Sequence, residues 1–227
     1  MLTPAVPTCI AIIDACRAVL PGLRVVVGNI HADVFAREIL EDGIADVVAH
    51  GEAEDTLSEL LAVLDDGGED AALAGILGIS WRDADGAVRR NAARPHRRDL
   101  DALPWPAWHR FPVHRYGLLP LADVAKPTLA MTASRGCPYR CEFCSLLHAS
   151  ANYRARDPLA VVDEYQGLHE RYGARQIGFM DPVFPLHKKA MVAFCEEVMR
   201  RGLHKDVVWV SETRVDRIDR ETLRLMR

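Results

Sequence analysis

Three cysteines, Cys137, Cys141 and Cys144, fall at C-x-x-x-C-x-x-C spacing within Arg135-Gly136-Cys137-Pro138-Tyr139-Arg140-Cys141-Glu142-Phe143-Cys144. Thiolates this close in the chain can wrap one iron–sulfur cluster or begin a zinc site. A structural zinc takes four protein ligands, and no fourth cysteine lies nearby. His148 is close enough to propose, yet it stands beyond the last cysteine at an unusual spacing. A cube of four irons held by three cysteines leaves one iron without a protein ligand. There a small molecule can chelate through an amine and a carboxylate. Three structural thiols, or a zinc knuckle, are the plainer alternatives.

This loop resembles the cluster loop of the radical S-adenosylmethionine enzymes. The three cysteines carry the likeness, with Phe143 just before the last of them and Arg135-Gly136 just before the first. The resemblance implies a 4Fe–4S cluster on Cys137, Cys141 and Cys144. S-adenosylmethionine would bind the open iron through its amino and carboxylate groups. An electron from the reduced cluster would then cleave the sulfonium and give a 5′-deoxyadenosyl radical. The resemblance further implies that Phe143 lies against the adenine.

The elements that must position this loop follow from periodicity. Thr128-Leu129-Ala130-Met131-Thr132 reads as a strand entering it. Asp157-Pro158 starts a helix with a good cap and proline in the first turn, striped by Val161, Val162, Tyr165, Leu168 and Tyr172 and closed by Gly173. Gln176-Ile177-Gly178-Phe179-Met180 is the next strand, ending at Asp181-Pro182-Val183-Phe184. A helix follows with Ala190, Met191, Phe194, Cys195, Val198 and Met199 on one face and Gly202 after it. Val207-Val208-Trp209-Val210 is a third strand, ending at Ser211-Glu212-Thr213-Arg214, and another helix begins near Asp219.

Three β-α units in a row argue for part of a parallel barrel with its chemistry at the carboxyl ends of the strands. The family resemblance implies an open barrel of six strands, with Asp181 near the methionyl amine. The family's usual Asp-Asp-x-Phe reads Asp181-Pro182-Val183-Phe184 here, so only the first carboxylate carries over. Ser211, Glu212 and Arg214 fall where the third strand supplies contacts to the ribose or carboxylate of S-adenosylmethionine. The planar fork of arginine suits a carboxylate. For each of these residues the plain reading is a surface charge or hydroxyl at a strand end.

The first ninety residues show another α/β alternation. A helical stripe at residues 9, 12, 13, 16, 19 and 20 ends before Pro21-Gly22, and Leu23-Arg24-Val25-Val26-Val27 reads as a buried parallel strand. A second helix carries Val34, Phe35, Ile39 and Leu40 inward, with Gly43 to cap it. Asp46-Val47-Val48-Ala49 is the next strand, and a helix with Leu57, Leu60, Leu61 and Leu64 inward follows. This doubly wound pattern places ligands beyond the carboxyl ends of the strands. A generic nucleotide-binding or response-regulator-like sheet has the same periodicity.

The loops at those ends, Val27-Gly28-Asn29-Ile30-His31 and His50-Gly51-Glu52-Ala53-Glu54, resemble the later half of a cobalamin-binding domain. Many radical S-adenosylmethionine enzymes carry one at the N-terminus, with loops that usually read Gly-Gly-x-His and Gly-Glu-Gly-Glu. Asn29 and Ala53 depart from that pattern. The resemblance offers Gly28, Asn29, His31, Gly51 and Glu52 as contacts to the cofactor's nucleotide tail. The first strands of such a domain are missing from the sequence, so His31 is not the axial histidine of other cobalamin proteins. It is either a polar loop residue or a contact to that tail.

Between the halves, Asp85-Gly86 separates two short alternating runs, a hairpin signal. Residues 91–127 hold six prolines, too many for regular structure. Asp99 to Trp108 resembles the family's interdomain linker, its apolar residues pinning the domains together; Trp105 and Trp108 stacking on a cofactor is the alternative. Composition fits a soluble globular chain, 49% apolar and 26% charged. A net charge of −4 offers no footprint for nucleic acid. The absence of any membrane-length apolar run or signal peptide implies a cytoplasmic protein. Cys9, Cys16 and Cys195 all lie on apolar stripes and read as inert core residues.

The expected architecture is α/β: a partial Rossmann-like cobalamin-binding domain over 1–93, a proline-rich linker over 94–127, and the N-terminal half of a radical barrel over 128–227. The resemblance implies a truncated cobalamin-dependent radical enzyme using a 4Fe–4S cluster, S-adenosylmethionine and cobalamin. Its leading reaction is methyl transfer to an unactivated carbon of a small molecule, with an electron donor such as flavodoxin or ferredoxin. A ring-forming enzyme resembling the anaerobic magnesium-protoporphyrin monomethyl ester cyclases, and a non-catalytic iron–sulfur or zinc scaffold, are the alternatives.

Overall fold

Short β-branched runs alternate with helices along the chain, and the computed structural model describes residues 1–67, 70–116, 124–144 and 152–227. The chain divides into two compact units, Met1–His96 and Arg97–Arg227. Both are α/β, and each contains parallel strand pairing. No helix among the described residues is long and apolar enough to cross a membrane.

In the first unit, strand β1 (Val26–Gly28) pairs parallel with β2 (Val47–Ala49), bringing Gly28 opposite Ala49. Strands β3 (Ile79–Arg82) and β4 (Val88–Arg90) extend the sheet antiparallel, in the order β1-β2-β3-β4. The Asp-Gly hairpin thus forms where its sequence predicts, but it completes this sheet rather than a connector, and the sheet is mixed. Asp83 fixes its turn by accepting from the Asp85 and Ala87 amides and pairing with Arg89. The helices are α1 (Val6–Val19), α2 (Ile30–Val34), α3 (Ala36–Glu41), α4 (Glu54–Asp65) and α5 (Asp70–Leu73). Val48 packs with Ala32, Ala36, Ile39 and Leu40, while its neighbour Val47 packs with Leu60, Leu73, Ile79 and Trp81, the two-face alternation of a strand.

Several apolar stripes point elsewhere than expected. The chain breaks at Phe35 between α2 and α3, so Ala32 and Ala36 take the inner places and Val34 and Phe35 face outward. On α4, Thr56 and Leu60 are buried while Leu57 and Leu61 are exposed. Thr56 earns its place by donating to the Leu77 carbonyl and accepting from Arg94. Helix α1 buries none of its residues, which leaves Cys9 half-buried and Cys16 exposed; only Cys195 is a core cysteine.

In the second unit, β5 (Thr128–Met131), β8 (Gln176–Phe179) and β9 (Val208–Ser211) form an all-parallel sheet in the order β5-β8-β9. Two short strands, β6 (Ser134–Arg135) and β7 (Arg154–Ala155), pair antiparallel beside it. Helices α6 (Pro158–Tyr172), α7 (Lys188–Arg200) and α8 (Arg220–Met226) complete the unit. Helix α6 forms where Asp157 accepts from the amides of Leu159 and Ala160, and it stops at Gly173, whose φ of 68° suits a residue without Cβ. Its Val161, Val162, Tyr165 and Leu168 pack on Leu129, Ile177 and Phe179 of the sheet and on Met191, Phe194, Cys195 and Val198 of α7. Met199, expected on that face, is exposed. Tyr165 spends its hydroxyl on the Val207 carbonyl at 3.0 Å.

Trp105 and Trp108 both pack within this unit. Trp105 lies so close to α6 that a Cβ on Gly167 would come within 2.9 Å of its ring, and Trp108 meets Phe111 and Tyr116 edge-on. Pro120 lies outside the described residues.

Candidate functional site

Parallel register sets the site. Met131 pairs with Phe179 and Phe179 with Ser211, so β5, β8 and β9 end level with one another. The cysteine segment, Asp181 and the run Ser211–Arg214 therefore leave the sheet at the same edge. Pairing of Ser134 with Ala155 and of Arg135 with Arg154 then closes the two ends of the cysteine loop. Nothing in the local alternation of residues 134–155 announces that closure.

Asp181 is the buried anchor of this edge. Its carboxylate accepts from the Ala133 amide at 3.2 and 3.0 Å and from the Ser134 hydroxyl at 2.5 Å. Burial pushes its carboxyl above the ordinary range, while the bonds from Ser134 and Ala133 pull the other way. Both oxygens are thus engaged in fastening the end of β8 to the approach of the cysteine loop. Tyr153, from the far arm of that loop, adds a bond to Ser134, and its phenol is raised first by burial.

All three loop cysteines are free thiols and half-buried. The Cys144 amide donates to the Cys141 carbonyl at 3.0 Å, a turn that brings the last two together. Among the described residues no three His, Cys, Asp or Glu side chains already surround a point where a metal ion could sit. Metal binding commonly orders its own ligand loop, since deprotonated thiols gather only around the cation. The donor set itself fits an iron–sulfur cluster: three accessible thiols free of disulfides, and an arginine already turned toward one sulfur. His148, the candidate fourth zinc ligand, lies outside the described residues.

Arg214 is that arginine. Its Nη1 donates to Cys141 Sγ at 3.3 Å, and its Nε and Nη2 hold the two oxygens of Asp216 at 2.9 and 3.0 Å. The guanidinium lies over the Tyr139 ring, 4.1 Å from its centroid, and Arg217 approaches the same ring at 5.2 Å. The bond to Asp216 is the chief reason that its pKa is raised further. Phe143 is 93% exposed, an unusual position for an aromatic ring. Ser211 donates its hydroxyl to the Phe184 carbonyl at 2.9 Å, and the Phe184 amide donates to the Glu212 carbonyl at 2.9 Å. The Glu212 side chain is exposed.

The second set of candidates lies in the first unit, at the ends of β1 and β2. A Cβ on Gly28 would stand 3.1 Å from the Ala49 carbonyl oxygen, so glycine is what lets the strand ends approach. Asn29 has φ 77° and ψ 171°, and among the described residues no other non-glycine has positive φ. That region is almost reserved for glycine. Asn29 holds it with a 2.6 Å bond from the Ile30 amide to its own Oδ1. Gly51 has φ 66°. His31 contacts the Thr3 hydroxyl at 3.1 Å and stacks near Phe35, while Glu52 pairs with His96 at 3.4 Å.

Beneath these loops runs a polar relay that the linear sequence does not reveal. His50 Nδ1 meets Asp33 Oδ1 at 2.7 Å and its Nε2 meets Ser80 Oγ at 2.8 Å. It ties α2, the end of β2 and β3 together below Gly51. The one available signal was a histidine between an apolar strand and a glycine turn.

No protein-family model matches the chain. Over its whole length it is 33% identical to the anaerobic magnesium-protoporphyrin IX monomethyl ester cyclase of Cereibacter sphaeroides, of which it spans 37%. Over 89% of its length it is 34% identical to an uncharacterized methyltransferase of Pyrococcus horikoshii, of which it spans 42%. Its fold matches that of TsrM from Kitasatospora setae, a radical S-adenosylmethionine methyltransferase solved with cobalamin and a 4Fe–4S cluster. That match has a TM-score of 0.73 at 22% identity, over 98% of this chain and 43% of the other. The chain thus spans less than half of each of these proteins.

Proposed function

We infer that this chain, which belongs to the family of cobalamin-binding radical S-adenosylmethionine enzymes, is the part of such an enzyme that joins a cobalamin-facing sheet to the first half of a radical barrel. The observation that carries the reading is the cysteine loop mounted at the carboxyl end of β5, level with Asp181 and Arg214. Cys137, Cys141 and Cys144 would hold a 4Fe–4S cluster. When bound, it supplies the electron that cleaves S-adenosylmethionine into methionine and a 5′-deoxyadenosyl radical.

The chain's own residues prepare that site. Asp181 and Ser134 hold the loop entrance at a fixed distance from β8. Ser211 fixes the backbone at Phe184, the neighbouring strand end. Phe143 offers an exposed flat apolar face of the kind on which an adenine stacks. Glu212, exposed at the same edge, is an acceptor for ribose hydroxyls. In the first unit, Gly51 leaves open space at its backbone where a nucleotide tail can approach closely, with Gly28 and Asn29 at the neighbouring strand end. His31 and Glu52 flank that surface, although each already has a protein partner.

Methyl transfer to an unactivated carbon of a small-molecule substrate is the leading reaction, supported by the likeness to the Pyrococcus methyltransferase. Ring formation has its own support, a match to the cyclase that runs the whole length of this chain and 37% of the cyclase. An electron donor of the flavodoxin or ferredoxin type completes the proposal. The free thiols call for a reducing compartment, which suits the cytoplasm.

Anaerobic reconstitution tests the site: it should give about four irons and four sulfides per chain, lost on replacing any one of the three cysteines by alanine. Stoichiometric zinc without sulfide overturns it. Methyl-deuterated S-adenosylmethionine tests the reaction in the intact enzyme. Methyl transfer should place label in a product and release S-adenosylhomocysteine and 5′-deoxyadenosine in comparable amounts. Deoxyadenosine alone, without label transfer, favours ring formation.

A further inference from the structure

Arg214 stands where the family resemblance asks for a contact to the ribose or carboxylate of S-adenosylmethionine, yet the structure spends it differently. Three of its five N–H groups are committed: two grip the Asp216 carboxylate and one donates to Cys141 Sγ. Its face is packed on Tyr139, two residues before Cys141, so the guanidinium is held from below as well as from the side. The Asp216 carboxylate and the Tyr139 face both favour this orientation of a guanidinium whose side chain is 40% exposed. Held in that orientation, the guanidinium makes its third contact to one of the three sulfurs of the loop.

Arg217 sets the comparison. It lies over the same Tyr139 ring, 5.2 Å from its centroid, and no hydrogen bond joins it to a cysteine among the described contacts. Two arginines thus approach one ring beside the loop, and one of them addresses a sulfur. Hydrogen bonds to ligating sulfurs withdraw electron density from an iron–sulfur centre and raise its reduction potential.

We propose that Arg214 is a tuning residue for the cluster, donating an N–H···S bond to Cys141 that eases one-electron reduction, and is not the ligand of the S-adenosylmethionine carboxylate. This rests on the reading that the three cysteines hold a 4Fe–4S cluster. Asp216 and Tyr139 act through Arg214, as the groups that hold it in place.

The test is an anaerobic redox titration of the reconstituted chain followed by electron paramagnetic resonance, without S-adenosylmethionine, on wild type, Arg214→Gln and Arg217→Gln. Iron and sulfide content is measured first; wild type that takes up no cluster defeats the underlying reading and leaves a different signature from failure of this one. With four irons bound, Arg214→Gln should lower the reduced-to-oxidised ratio at fixed potential by roughly threefold to tenfold, tenfold being 59 mV for one electron. Arg217→Gln, which removes the same charge nearby, should leave the midpoint within error of wild type. Should Arg214→Gln take up less iron, Arg214→Lys is titrated in its place and should fall between the two. A wild-type midpoint in the Arg214 variant overturns the proposal, as does an equal shift in Arg217→Gln, which would make the effect one of general charge. The affinity for S-adenosylmethionine, measured by calorimetry, should change by less than about threefold in Arg214→Gln. A loss beyond tenfold, the scale of a charge-assisted bond, would return Arg214 to the carboxylate and overturn the assignment.

Discussion

Asn29 shows how much one residue's backbone can say. The cobalamin-domain loops that this one resembles usually carry glycine there, and asparagine stands at φ 77° and ψ 171°, a conformation nearly closed to side chains. Asparagine tolerates it because its short amide bonds the next backbone N–H. Relieving the Cβ strain should outweigh the extra freedom that glycine gives the unfolded chain, so Asn29→Gly should stabilise by about 1 kcal/mol. Asn29→Val, β-branched and without the amide, should destabilise by about 2–3 kcal/mol. Urea midpoints of the two variants check both signs; a destabilised glycine variant would mean that the Oδ1 bond, not the dihedral, dominates. The departure at this position was visible in the sequence, and so were the loop cysteines. What one residue did to another was not: the bond from Arg214 to Cys141 spans 73 residues, and that from His50 to Ser80 spans 30.

Helix α6 and helix α4 mark the boundary of what an element's sequence can tell. In α6 the stripe, the Asp157 cap and the Gly173 stop all agree, and four of the five stripe residues are buried as read. In α4 the leucine stripe names an apolar side, but what covers that side depends on neighbours far along the chain. There Thr56 and Leu60 meet the sheet and the hairpin instead of Leu57 and Leu61. The same limit hid the charged pin of α6. Arg156, just before the helix, meets Glu164 at 2.5 Å, Asp101 at 2.8 Å and the Thr132 carbonyl at 2.9 Å. Glu164 is only 2% exposed, so Arg156→Ala would strand a carboxylate in the core at a cost of about 3–5 kcal/mol. Thermal denaturation of the variant measures it. A loss below about 1 kcal/mol would place this pair among surface ion pairs.

At the scale of the whole molecule, alternation of strands and helices sufficed for the α/β class, and the parallel β5-β8-β9 sheet formed within a residue of its expected bounds. The mixed first sheet was harder to read, because a hairpin's sequence gives its turn but not the strand it will join. The same topology makes a physical demand. Among the described residues β9 is an outer strand of an all-parallel sheet, and its Val208 is 42% exposed. Parallel sheets are normally covered, and an outer strand with unpaired backbone groups is a template for another chain. The 227-residue chain in isolation should therefore self-associate through β9 across the micromolar range, seen as a rise in light-scattering mass with concentration. Val208→Lys places a charge on that edge and should return the mass toward the monomer, since its neighbour Trp209, which carries the aromatic packing against Phe179 and Phe194, is untouched. A chain that is already monomeric throughout, or a lysine variant that associates as strongly, would show that β9 is not the surface that needs covering.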